Sequence, residues 1–166
     1  ILKIFMANNQ VIEFFEDRKI YCAFVGEDRG ERLHVITEQN REVNLPRKRL
    51  IHVTPWLAGA NLPRMELVEQ LKAIGQRRES LKRDINLEDL WELLVSEAEG
   101  FLLVDLARSW YGDGVTADQS AALGRALFED RFYFKFKGNL WQPHPPEVVE
   151  NLKEQYRREL ERRQEL

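Results

Sequence analysis

The chain has 166 residues, 43% of them hydrophobic and 32% charged, with a formal net charge of -3 at pH 7. This length holds one domain or two small ones, and the negative balance excludes a protein that coats nucleic acid by general basicity, so any such contact must come from local patches. A single cysteine, Cys22, excludes an internal disulfide and a cysteine-based zinc site, while no apolar run is long enough to span a bilayer and no signal-peptide pattern is present. The cytoplasm is the expected compartment, with no membrane partner. By region the balance is +1 over 1–56, +2 over 57–84, -5 over 85–146 and -1 over 147–166.

Five short apolar runs come first: Val11–Glu16, Lys19–Glu27, Arg32–Thr37, Glu42–Leu45 and Leu50–Thr54. They are rich in strand-forming residues and are separated by Asp17-Arg18, Asp28-Arg29-Gly30 and Gln39-Asn40, which are turn signals. Hairpin-length connections between short strands predict a small closed barrel of the SH3-like kind over 1–56. Pro46 ends a strand before the basic triplet Arg47-Lys48-Arg49.

Trp56 to Asn61 read as a linker, with Asn61 as the N-cap of a helix over 64–83 that bridges two domains and carries Met65, Leu67, Val68, Leu71, Ile74 and Leu81 at helical spacing. Asn86 with Asp89 three residues on predicts the start of a second helix, and a third spans Phe101–Trp110 and closes at Gly112. Thr116-Ala-Asp-Gln119 has the form of a capping box. The helix it starts points Leu123, Ala126 and Leu127 inward and leaves Asp118, Arg125 and Glu129 outward, as a recognition helix would.

From Asp130 to Pro143 the pattern has period two, with Phe132, Phe134 and Phe136 on one face and Arg131, Tyr133, Lys135 and Lys137 on the other. A two-residue turn at Gly138-Asn139 sets Phe136 opposite Trp141, Lys135 opposite Gln142 and Lys137 opposite Leu140. Helices followed by this hairpin predict a winged helix-turn-helix over 85–146. A last, charged helix starts near Glu147 with a thin stripe of Val149, Leu152, Tyr156 and Leu160. The fold class is therefore α+β: a small barrel over 1–56, a linker helix over 57–84, the winged helix over 85–146, and a C-terminal helix over 147–166 that leads on into a longer protein.

Catalytic signatures are sparse. His34, His52 and His144 lack metal-site spacing, and there is no GxSxG elbow, Walker-type loop or cysteine nucleophile pattern. Cations offer more. Arg47, Lys48 and Arg49 on a barrel turn suit phosphates, as do Arg125 and the wing residues Arg131, Lys135 and Lys137, and Tyr133 suits stacking on a base. The competing account has a solvated loop, lysines that keep an edge strand soluble, and Tyr133 packed at an inter-domain contact.

The order of Arg41-Glu-Val-Asn-Leu-Pro-Arg-Lys-Arg-Leu-Ile-His-Val53, a helical linker, Asp105-Leu-Ala-Arg-Ser-Trp-Tyr-Gly112, Leu127-Phe-Glu-Asp-Arg-Phe-Tyr-Phe134 and Trp141-Gln-Pro143 before a charged helix resembles the N-terminal region of ribonuclease II-type (RNB family) exoribonucleases. The resemblance is to bacterial forms with an SH3-like barrel and a winged helix in place of tandem cold-shock domains. It implies a following catalytic domain whose aspartates hold magnesium for 3′-to-5′ hydrolysis of single-stranded RNA. No segment here matches that aspartate motif, so no cofactor and no catalytic residue is expected within the chain. The resemblance assigns it RNA guiding, with single-stranded RNA and its own catalytic domain as partners. The alternatives are a protein-interaction or scaffolding module and, against the charge of Asp118 and Glu129, a DNA-binding regulator.

Overall fold

The computed structural model describes residues 5–57, 61–97 and 99–164. Five antiparallel strands come first: β1 (Gln10–Glu16), β2 (Lys19–Asp28), β3 (Arg32–Thr37), β4 (Glu42–Pro46) and β5 (Leu50–Leu57). Their order in the sheet is β4-β3-β2-β1-β5. Asp17 and Arg18 both adopt positive φ (50° and 67°), which matches a two-residue hairpin to the twist of its strands. Pro46 ends an edge strand, where its missing N–H costs no ladder bond. A 3-10 turn at Arg47–Arg49 then carries the chain to β5, which pairs with β1.

Alternation along these strands buries both faces of the sheet. Met6, Ile12, Phe14, Leu33, Leu45 and Leu50 close on one another as one core. Val11, Cys22, Phe24 and Ile36 point the other way and receive Leu67, Val68, Leu71 and Ile74 of α1 (Arg64–Lys82). Each such side chain removed from water contributes about 2 kcal/mol. The expected bridging helix thus lies flat on the sheet. Its approach is close: a Cβ on Gly75 would stand 2.6 Å from Glu38 Oε2. The N-cap is Pro63, while Asn61 sits at φ 64° in the preceding turn. Residues 58–60 of the expected linker lie outside the described residues.

The winged helix follows as α2 (Leu87–Leu94), α3 (Leu103–Tyr111), α4 (Ala117–Glu129), β6 (Phe134–Lys137) and β7 (Leu140–Pro143), and then α5 (Pro146–Gln164). The Asn86 cap accepts from the Asp89 N–H, and the Thr116/Gln119 capping box is complete. Phe101 is not helical as expected. It pairs with Trp141 through two backbone bonds of 2.8 Å, adding a third strand position to the wing. Gly138 and Asn139 take φ 60° and 65°, giving the register Phe136↔Trp141, Lys135↔Gln142 and Lys137↔Leu140 read from the sequence. Leu90, Leu94, Leu106, Leu123, Leu127, Phe134 and Trp141 form the core beneath.

The main departure concerns α4. Seven consecutive residues, Ala121–Leu127, are buried. One side of the helix fills the winged-helix core and the other packs on α1 and β5. No face is left to enter a nucleic-acid groove.

Candidate nucleic-acid interface

The burial of α4 changes the role of Arg125, expected at an RNA surface. The residue is 4% exposed, because the helix packs that face against the sheet. Nε and Nη2 donate to Glu13 Oε1 and Oε2 at 2.6 and 2.5 Å, and Nη1 donates to Glu79 Oε1 at 2.8 Å. Arg78 of α1 is fully buried beside it. Arg78 donates to Asp118 Oδ1 (2.9 Å) and Thr54 Oγ1 (2.9 Å), with Nη1 3.3 Å from Glu13 Oε2. Asp118, expected outward, is therefore turned in to meet Arg78, while Glu129 stays exposed and accepts from Lys82 at 2.7 Å. A charge buried without a partner costs several kcal/mol, so each arginine here requires its carboxylate. His52, 3.4 Å from Thr54 Oγ1, is held uncharged, its pKa pushed down to about 3 by burial and by the Arg78 cation.

This network was missed at the sequence level, although it left a trace. Glu13 stands between Ile12 and Phe14, and Arg125 stands inside Ala121–Leu127. A lone charge in an apolar stretch of one element, matched by an opposite one in another, marks a buried pair.

The basic triplet divides. Arg47 is 8% exposed, and its fork is committed to Asp28 Oδ1 and Oδ2 (2.7 and 3.1 Å) and to the Gly30 carbonyl (2.7 Å), which corrects its assignment to a phosphate. That pairing holds Asp28 down at a pKa of about 2. Lys48 is exposed and Arg49 half-buried.

On the wing, Lys135, Lys137 and Arg131 are exposed. Arg131 lies 5.2 Å from the Tyr156 ring centroid. Tyr133 does not share their face. The Asp130 carboxylate accepts the N–H groups of Phe132, Tyr133 and Phe134 at 2.8–3.2 Å, which bends residues 131–133 and interrupts the alternation before β6 begins. Tyr133 is turned against Trp91 (ring centroids 5.6 Å apart), with Lys153 Nζ 5.1 Å from its own centroid. Half-buried, it packs on Trp91 and carries the Lys153 ammonium over its ring. Lys135 shares a groove with Glu97.

Charge is unevenly spread. From Asp84 to Ala107 there is no lysine or arginine, and all seven acidic residues of that stretch are exposed. Leu93 (66% exposed), Leu102 and Val104 (40% each) stand among them. A polyanion is repelled from this face. Of the cations read from the sequence as RNA contacts, Lys48 and Arg49 at the sheet end and Arg131, Lys135 and Lys137 at the wing keep an accessible side chain.

Residues 75–148 match the family model described as the winged helix domain of ribonuclease II. Over 161 residues, 96% of the chain, the sequence is 30% identical to a protein of Synechocystis sp. (strain ATCC 27184 / PCC 6803 / Kazusa) named as an uncharacterized ribonuclease, and the chain spans 23% of that relative's length. No solved structure matches. The β-sheet followed by a winged helix, the match over 75–148 and the similarity along nearly the whole chain support an N-terminal region of the ribonuclease II type.

Proposed function

We propose that this region is the non-catalytic, RNA-guiding part of a 3′-to-5′ exoribonuclease, holding single-stranded RNA through phosphate contacts with little sequence preference. The observation that carries it is the ribonuclease II winged helix match over 75–148. The exposed cations Lys48, Lys135 and Lys137 supply the chemistry. The reading divides the chain into an SH3-like barrel (1–56), a linker helix (57–84), the winged helix (85–146) and a helix (147–166) leading to a catalytic domain. The strand order with a 3-10 turn before β5 supports the barrel. Hydrolysis and magnesium belong, in this reading, to that further domain. Among the described residues, no group of three His, Cys, Asp or Glu could hold a metal ion. The buried free thiol of Cys22 suits a cytoplasmic setting, and among the described residues no helix is long and apolar enough to cross a membrane.

The test is fluorescence anisotropy with a labelled single-stranded RNA. The expected result is weak binding whose log affinity falls with log salt at a slope of about -0.7 per phosphate neutralised, lowered by Lys135→Ala with Lys137→Ala. Absence of binding at low salt refutes the proposal.

A second reading, a protein-docking module, is favoured by the exposed Leu93, Leu102 and Val104 on an acidic face. A partner retained after nuclease treatment, with RNA binding unaffected by the two lysine substitutions, would select it. The DNA-regulator reading loses its basis, since α4 is enclosed.

A further inference from the structure

At one end of the sheet, the β2–β3 turn and the 3-10 turn border an open groove of about 810 Å³. Its floor is the Asp28–Arg47 pair, tied on both sides. Arg47 Nη1 also donates to the Gly30 carbonyl (2.7 Å), the Arg47 N–H donates to the Glu31 carbonyl (3.0 Å), and Asp28 Oδ2 accepts the Met6 N–H (2.8 Å). The charges of the floor cancel within it.

Phe5 stands on the rim at 77% exposure, the most exposed large apolar side chain among the described residues. Its neighbour Met6 is 1% exposed and anchored in the sheet core, so the backbone beneath the Phe5 ring is tethered although the ring faces solvent. Arg32 and Lys48, both exposed, line the same groove, with one exposed acid, Glu31. The core does not account for Phe5. A π-face held beside two cations over an electrically quiet floor is the arrangement that stacks a base while the cations track its phosphates.

We propose that this groove holds one nucleobase of single-stranded RNA, stacked on Phe5, with Arg32 and Lys48 on the adjoining phosphates. The proposal rests on the RNA-guiding reading and gives it a stacking site apart from the wing, where Tyr133 is packed against Trp91. Stacking reads no base edge, so the site takes any base.

The experiment uses a labelled oligouridylate about 12 nucleotides long and an abasic strand of equal length, at roughly 50 mM salt, where phosphate contacts are strong. The expected result is that Phe5→Ala weakens oligouridylate binding about tenfold, Phe5→Trp retains it, and the abasic strand binds wild type and Phe5→Ala alike. Lys48→Ala is expected to weaken both strands. Wild-type binding that is unchanged by Phe5→Ala overturns the groove assignment and leaves the RNA-guiding reading standing. So does an equal loss for the abasic strand. No wild-type binding to either strand overturns both. Phe5 contributes nothing to the core, so its substitution is expected to leave the melting temperature unchanged.

Discussion

Arg125 on α4 and Glu13 on β1, 112 residues apart in sequence, face each other through two parallel hydrogen bonds of 2.6 and 2.5 Å. The pair joins the sheet to the winged helix in a place where water does not compete. Losing Arg125 leaves the buried Glu13 with only the longer 3.3 Å contact to Arg78, so Arg125→Ala is expected to destabilise the chain by about 3 kcal/mol, the low end for breaking a buried pair. Arg125→Lys keeps the charge but not the planar fork and should recover only part of that. Denaturant unfolding measures both. A loss in Arg125→Ala below about 1 kcal/mol, the range of exposed pairs, would show that the contact does not join the two halves.

Asp130 closes α4 and shapes the start of the wing by accepting three successive N–H groups. Asp130→Ala leaves those donors without their acceptor and should cost about 1–3 kcal/mol. Tyr133 would then lose its fixed position against Trp91, so the near-ultraviolet circular dichroism should weaken while the far-ultraviolet signal stays. An unchanged near-ultraviolet spectrum would mean that the Trp91 contact alone positions Tyr133.

His52 gives the fold a pH dependence. Its folded pKa of about 3 lies below the ordinary value of 6.5, so the unfolded chain binds a proton that the folded chain does not. The stabilisation is present in full above pH 6.5 and is lost as pH falls toward 3. Between pH 6.5 and 5 the expected slope is at most about 1.4 kcal/mol per pH unit from this group. His144, whose pKa is also lowered by burial, adds in the same direction. Unfolding free energies measured across that window should show a shallower slope in His52→Asn than in the wild type. Equal slopes would place the proton uptake elsewhere.

Much of this architecture follows from local rules that a sequence carries on its own. The two-residue turn at Gly138-Asn139 and the period-two pattern before it set the β6–β7 register. Asn86 and Thr116 mark their helix starts because a side-chain oxygen three residues before a free N–H is a local contact. The five strands and the α+β class rest on the same kind of information, within a few residues of each boundary.

The fate of the charged side chains was decided only by the tertiary structure. A period of 3.6 residues tells which positions share a helix face, but not how many faces will be covered. With α4 covered on two sides, Arg125 and Asp118 became structural, and Arg47 did so once the 3-10 turn after β4 brought it to Asp28 at the end of β2. Tyr133 left the wing's basic face because Asp130, three residues earlier, bent the backbone. Phe5 stayed outside although its residue type belongs in a core. Burial and ion pairing depend on what arrives from distant parts of the chain, so the same cations read alike in sequence and divide only when the elements pack.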